Sequence, residues 1–516
     1  MLPLLTVAAA RAMTPVPASE AAGTIDGAGA DRFGYQVTSG DLDHDGVVDL
    51  VVSAPHPDAN RVYVFFGPID LAAGPHLDTS LADVVFEGPA GSEAGWSVAV
   101  GDVIGGPGDD LVVGAPSQLG GAGQVFVVAG PLGGAPVLDT SAVDLVIDGE
   151  PSVVRPGYAG WSVATGDWDG DGKDELAIGA CYLDPGSLGA AYLVDADVAS
   201  SPMSVTAATT KFGGLGLTGC SLADLGDLDG DGFDDLGIGS HGAAFPANVS
   251  FNGDLSIVYG RPQFEPYYVN GGVEEDIALV VGEGSGGGNF AYDIAAAGDL
   301  NRDGYDDVLI GAPARRCDGC VSREHVGRMY VLLGGPSTGP KEGRYLAGVS
   351  RIDALADMIY EAPANDEQVG VAVSAAGAAG DRWGKFSHPI VNYALIGPTL
   401  LAGSATDQAW VIAYDNRDRL LRPPVVTCEA DPETGVLTCE DLRLGIPAAR
   451  GWRIDLGTAR GVHRIDGDPG SALGSEVHGP GDLDGDGLAD FVIGADHQLE
   501  FGEPAGDGEV LLFQGQ

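Results

Sequence analysis

The sequence predicts an all-β chain: a seven-bladed β-propeller of four-stranded antiparallel blades, with the ring closed by an N-terminal strand. Three observations predict it. A nine-residue acidic loop recurs at Asp41, Asp167, Asp227, Asp299 and Asp482. An apolar run ending in a Gly-Ala-Pro-like corner recurs seven times. Glycine supplies 83 of 516 residues, far above its usual share of about 7% and without a collagen period, so it marks many tight corners.

The elements follow in a fixed order. Each repeat opens on a small residue, usually after an apolar one, as in Phe33-Gly34, Ala94-Gly95, Ala159-Gly160, Phe290-Ala291 and Leu473-Gly474. The acidic loop begins seven or eight residues later. An apolar strand and its corner come next: Leu50 to Pro55, Leu111 to Pro116, Leu176 to Cys181, Leu236 to His241, Val308 to Pro313, Ala394 to Pro398 and Phe491 to Asp496. A third strand follows, as in Arg61 to Gly67 or Gly327 to Gly334, then a shorter fourth, as in Val84 to Gly88. Four short strands per roughly 60 residues, with glycine at the corners, is the pattern of a propeller blade. The last repeat stops after its third strand at Phe513, while Gly23-Thr-Ile-Asp-Gly27 mirrors the fourth strand His463-Arg-Ile-Asp-Gly467. Residues near Thr24 and Ile25 are therefore expected to complete the C-terminal blade and remove its open edge.

Within each loop, oxygens stand at positions 1, 3, 5 and 9, with a backbone carbonyl expected from position 7. The sets are Asp41, Asp43, Asp45 and Asp49 with Val47; Asp167, Asp169, Asp171 and Glu175 with Lys173; Asp227, Asp229, Asp231 and Asp235 with Phe233. Two more are Asp299, Asn301, Asp303 and Asp307 with Tyr305, and Asp482, Asp484, Asp486 and Asp490 with Leu488. Carboxylates gathered this closely repel by roughly 4 kcal/mol per pair at an effective dielectric of 20, which calls for a hard dication. An all-oxygen set suits calcium's six to eight contacts better than magnesium's strict octahedron, so about five Ca2+ sites are expected. An EF-hand shares the first six positions, but it needs Glu at position 12, where this chain has Val52, Ile178, Ile238, Ile310 and Ile493. The loops are hairpin tips.

On these loops and corners the chain resembles the FG-GAP repeat proteins, the calcium-binding propellers typified by the head of integrin alpha subunits, over nearly its whole length. The resemblance implies an extracellular protein- or glycan-binding adhesion module, working through loops on the face opposite the calcium hairpins. Two blades depart from the pattern. Blade 2 reads Asp102-Val-Ile-Gly-Gly-Pro-Gly-Asp-Asp110 and lacks positions 3 and 5, which leaves open whether it binds metal, whereas blade 6, at Gly377 to Trp383, has no carboxylate ladder and is expected to hold none.

The formal net charge of -50 argues against nucleic acid or an anionic membrane as partner. It reads either as a solvated surface or as complementary to a cationic partner. Six cysteines suggest the bridges Cys317–Cys320 and Cys428–Cys439, with Cys181 and Cys220 as the remaining pair. Neither zinc-ligand spacing nor a thioredoxin-like context accompanies them. Disulfides and calcium suit a secreted, cell-surface or periplasmic location. Residues 1–20 read either as a signal-peptide remnant ending near Ala12 or as a disordered terminus, and residues 21–516 as one propeller with insertions at about 315–328, 341–366 and 417–460. No stretch of 18 apolar residues spans a membrane.

No catalytic constellation stands out. The one Gly-x-Ser-x-Gly match, at Gly335 to Gly339, carries a proline and lacks a following helix. The reading is therefore a binding module, with a polysaccharide lyase or hydrolase on a propeller scaffold as the alternative. Trp410, Trp452 and Tyr345 are the candidates for stacking sugars. No motif specifies oligomeric state.

Overall fold

A computed structural model describes residues 16–514 apart from 30, 72–75, 134–135, 152–155, 184–187, 197–200, 214–215, 243–252, 270–276, 283–288, 314–326, 336–347, 363–367, 377–384, 389–390, 397–398, 405–407, 414–425, 431–436, 442–445, 448–451, 456–461, 468–470 and 497–507. Seven five-stranded sheets form the blades. Blade 1 runs from axis to rim as Val37–Gly40, Asp49–Ala54, Arg61–Phe65 and Val84–Glu87, each antiparallel to the next. The first strand of every blade packs against that of the next, and that of blade 7 packs against blade 1, so the ring closes.

Burial explains the sequence pattern. Second strands such as Asp49–Ala54, Asp110–Ala115 and Asp490–Ala495 are buried at every position, because each lies between two strands of its own sheet and between two neighbouring sheets. They therefore read as continuous apolar runs. Fourth strands such as Val84–Glu87 and Leu145–Asp148 alternate, since one face is partly open. The core is a set of layers between blades. One joins Val62, Val64 and Phe86 of blade 1 to Val98, Leu111 and Phe126 of blade 2, and another joins Ile25, Val492 and Leu512 of blade 7 to Leu50, Val52 and Tyr63 of blade 1.

Closure follows the expectation for Thr24 and Ile25: Gly23–Asp26 pairs antiparallel with Glu509–Phe513 and completes blade 7. Beyond the four strands expected, each blade carries a fifth. It lies parallel to the fourth and is lent by the chain just ahead of the next blade's fourth strand. Val137–Asp139 covers blade 1, His76–Asp78 covers blade 7, and Val16–Pro17 covers blade 6. Val16–Pro17 lies within the stretch read as a leader remnant or unstructured terminus, and residues 1–15 lie outside the described residues. These exchanged strands cover the edge that each fourth strand would otherwise present.

Blade 6 corrects one assignment. Ala394 to Pro398 is not its corner: Val391–Ile396 pairs with Lys385–His388 in a separate hairpin. The second strand is Thr399–Ser404, whose Leu400, Leu401 and Ala402 are buried. Both stretches are apolar runs ending near a glycine, and only packing between blades separates them. The opening glycine also recurs twice more, after Thr218 and Val369, with φ of +74° at Gly219 and +91° at Gly370.

Residues two places after that opening position tie blades 2, 3, 4 and 5 each to the next. Ser97 Oγ donates to the Gly160 carbonyl (2.9 Å), Ser162 Oγ to that of Gly219 (2.8 Å) and Ser221 Oγ to that of Ala291 (2.9 Å). Asp293 accepts from the Val373 amide (2.7 Å). Cys181 and Cys220 form a disulfide between blades 3 and 4. Cys428 and Cys439 stand directly opposite each other in the pair Val426–Ala430 and Leu437–Asp441, inside the 417–460 insertion. Cys317 and Cys320 lie outside the described residues. Among the described residues, no helix is long and apolar enough to cross a membrane.

Candidate metal centres

The acidic loops connect the first and second strands and all emerge at one end of the ring. Each is wound by its own carboxylates. Asp41 accepts from the amides of Asp45 and Gly46 (both 3.0 Å), Asp43 from Asp45 (3.0 Å) and Asp45 from Val47 (2.8 Å). The ladder repeats at Asp227, Asp229 and Asp231 and at Asp482, Asp484 and Asp486. Position 9 anchors the loop. Asp49 accepts from the Leu42 amide (2.8 Å) and the Gly67 amide (2.9 Å), and Asp235 and Asp307 make the equivalent bonds in blades 4 and 5.

This winding turns the carboxylates inward. Oxygens of Asp41, Asp43 and Asp49 lie within 4.8 Å of one another, as do those of Asp167, Asp169 and Glu175, of Asp227, Asp229 and Asp231, and of Asp482, Asp484 and Asp490. Positions 1, 3 and 9 thus meet in blades 1, 3 and 7, and positions 1, 3 and 5 in blade 4. In blade 5, where position 3 is Asn301, no three carboxylates among Asp299, Asp303 and Asp307 meet that separation. At position 7, the amides of Val47, Lys173, Phe233 and Leu488 donate to the position-5 carboxylates Asp45, Asp171, Asp231 and Asp486.

The electrostatics fit a cation. Burial, reinforced by neighbouring carboxylates, pushes Asp49 up to about 6, Glu175 to about 8, Asp235 to about 9 and Asp307 to about 7, against the pull of their backbone hydrogen bonds. A bound dication reverses that balance. Asp167 Oδ1 is buried and accepts no hydrogen bond, so it has a lone pair available for an ion. Asp102 Oδ1 in blade 2 shares this property, but its loop lacks positions 3 and 5.

The FG-GAP repeat model matches residues 33–65, 159–194 and 290–332, three stretches that each begin one residue before the opening small residue (Gly34, Gly160 and Ala291) and span a loop and its flanking strands. Integrin alpha-PS2 of Drosophila melanogaster is 32% identical over 216 residues, 41% of this chain and 14% of that protein. Integrin alpha-5 of Xenopus laevis is 30% identical over 233 residues, 42% of this chain and 20% of that protein. This chain is an integrin alpha-like FG-GAP propeller. Phosphatidylinositol-glycan-specific phospholipase D of Bos taurus is also similar, 36% identical over 176 residues, 30% of this chain and 19% of that protein. The matched stretches span a fifth or less of these relatives.

At the other end of the FG-GAP propeller, the residue after each opening glycine borders the axis. In blades 1 to 3 these are Tyr35, Trp96 and Trp161, with ring centroids 5.1 and 4.7 Å apart, and Tyr158 and Tyr182 extend the arc. All five rings are half-buried. Arg32 lies 4.1 Å from the Tyr35 ring centroid and pairs with Asp496 of blade 7 at 3.2 Å. Sequence reasoning missed this arc, although its signal was present: an aromatic one place after the glycine in three consecutive repeats. Of the sugar-stacking candidates, Trp410 is buried in the core, Trp452 lies on the fifth strand of blade 5, and Tyr345 is outside the described residues.

Proposed function

We propose that this protein is a calcium-binding propeller that acts outside the cytoplasm as a binding module for an extracellular protein or glycan, engaged through the face opposite the acidic loops. The observation that carries the reading is the convergence of three carboxylates in each of four loops, an arrangement that like-charge repulsion opposes unless a cation occupies the centre. The loops at Asp41, Asp167, Asp227 and Asp482 would hold calcium through positions 1, 3, 5 and 9 and the position-7 carbonyl, and the loop at Asp299 would do so with Asn301 in place of one carboxylate. Bound calcium supplies positive charge that fixes the hairpin tips.

The aromatic arc on the opposite face is the partly open apolar surface through which a partner would be engaged. The Cys181–Cys220 bridge supports an oxidising compartment. An integrin alpha chain and a phospholipase D share similarity with these repeats, so the repeats by themselves do not specify one chemistry. Two measurements test the reading. Calorimetric titration of the metal-free protein is expected to count about five calcium ions, and two or fewer would refute the loop assignment. A glycan and protein array probed with the calcium-loaded chain, followed by product analysis of each hit, is expected to show binding without turnover. Turnover would favour the carbohydrate-active alternative.

A further inference from the structure

Position 8 of the acidic loop is not among the metal-ligand positions, yet it carries aspartate in blades 2, 3, 4 and 5: Asp109, Asp174, Asp234 and Asp306. Three of these reach back to the preceding blade. Asp109 Oδ2 accepts from the Asp41 amide (2.8 Å), while the Asp109 amide donates to the Asp41 carbonyl (3.1 Å). Asp174 makes the same pair of bonds to Asp102 (both 3.0 Å), and Asp306 to Asp227 (3.0 and 3.1 Å). Each clasp therefore holds both backbone polar groups of the position-1 residue in the loop before it.

The residue ahead of position 1 independently marks the same device. A Cβ on Gly40 would come within 2.8 Å of Asp109 Oδ2, one on Gly101 within 2.2 Å of Asp174 Oδ2, and one on Gly226 within 2.3 Å of Asp306 Oδ2. The equivalent glycine of blade 7, Gly481, has nothing within 4 Å. There, position 8 of the following blade is Val48, so no carboxylate needs the space.

Blade 2 gives the arrangement its meaning. Its loop lacks carboxylates at positions 3 and 5, so Asp109 has no complete metal set of its own to serve. It is nevertheless bonded to the backbone of Asp41, whose side chain is wound into the blade 1 centre. Resting on the calcium reading above, we propose that Asp109 is a positioning residue for the blade 1 cation, and that position-8 aspartates couple the cation loops at Asp41 and Asp227 to the blade that follows each. The second blade thus keeps a loop of this shape because it scaffolds the first. The clasp fixes the position-1 backbone before the ion arrives, so less ordering entropy is lost on binding.

The test compares wild type with Asp109→Leu and Asp109→Asn by calcium calorimetry on the metal-free full-length protein. Amide hydrogen exchange at Asp41, measured without calcium, provides a second readout. A charge-assisted backbone hydrogen bond of this kind corresponds to about tenfold in affinity. Asp109→Leu is expected to weaken one site by about that factor and to speed Asp41 exchange. Asp109→Asn keeps the acceptor without the charge and is expected to restore most of both. In an Asp43→Ala background, which lacks the blade 1 site, adding Asp109→Leu should leave the remaining isotherm unchanged.

Unchanged affinity in Asp109→Leu, with wild type binding calcium normally, overturns the clasp and leaves the metal reading standing. Equal weakening in both backgrounds also overturns it, since that marks a general loss of structure or charge. Wild type binding no calcium overturns both. If Asp109→Leu does not fold, Asp306→Leu and Asp306→Asn apply the same comparison to the loop at Asp227.

Discussion

Gly160 shows at a single residue why the repeats carry glycine where they do. Its φ is +84°, and a Cβ there would come within 2.8 Å of the Gln124 carbonyl and 3.1 Å of the Ala115 amide, both backbone atoms of blade 2. Gly160→Ala is expected to cost about 3 kcal/mol, strain and collision together. Gly91→Ala, at φ +71° with nothing within 4 Å, is expected to cost about 1 kcal/mol of backbone strain alone. Urea unfolding of both variants checks this, and equal costs would remove the collision from the account. His478 is a second residue-scale case, at the seam between blades 7 and 1, where it shares a 2.9 Å hydrogen bond with Ser39. Burial lowers its pKa to about 4 from 6.5. The unfolded chain therefore binds the proton more readily, and this stabilising contribution is complete above pH 6.5 and lost as pH falls toward 4. Asp293, pushed by burial up to about 7, and Glu476, pushed well up, act with the opposite sign. The effect is thus isolated as the difference in Tm between wild type and His478→Gln, expected to be flat above pH 7 and to shift against wild type between pH 6.5 and 4. A flat difference throughout would show that the histidine does not titrate with folding. The opening glycine was readable because it recurs. The clasping aspartates were not, because their partners lie in another blade and position 8 has no role within its own loop.

At the scale of elements, the strand that closes the ring and the strands exchanged along the rim differ in weight. Ile25, on the closing strand, is fully buried between blades 7 and 1. Ile25→Ala is expected to cost about 2–5 kcal/mol. Val137, on the fifth strand of blade 1, is 53% exposed, so Val137→Ala is expected to stay within about 0.5 kcal/mol. Paired denaturant titrations check the contrast, and a cost below 1 kcal/mol for Ile25→Ala would deny the N-terminal segment its closing role. The closing strand was legible because Gly23 to Gly27 copies the motif ahead of blade 7. The fifth strands were not. Met203–Ser204 and Val16–Pro17 are two residues long, too short for any period to register, and they are defined by a neighbour's edge. The blade 6 corner failed for a related reason: two adjacent apolar runs fit one template, and only burial between blades chose Thr399–Ser404. The Cys181–Cys220 bridge crosses from blade 3 to blade 4 over a separation of 39 residues. A Cys181→Ser/Cys220→Ser double variant is expected to lose about 3–4 kcal/mol by the chain-entropy account, and unchanged stability would place the bridge outside the folding energetics.

For the whole molecule, charge and closure pull against each other. A net charge of -50 opposes the compact state, and much of it is concentrated at one end of the ring, in loops whose carboxylates face inward. Calcium that binds the wound loops and not the open chain stabilises the fold by mass action, about 2.7 kcal/mol per site at a 100-fold excess over its dissociation constant. Chelation is therefore expected to lower Tm strongly, and the size of that drop should depend on how many loops are intact. Asp229→Ala removes a buried carboxylate from the converged set of blade 4 and should shrink the calcium-dependent part of stability by one site's share. Asp102→Ala alters a loop without positions 3 and 5 and should leave that part unchanged. Differential scanning calorimetry with and without chelator, on wild type and both variants, separates the two. A Tm indifferent to chelator would mean that the ring balances its charge without metal, and the inward-facing carboxylates would then need protons in place of cations.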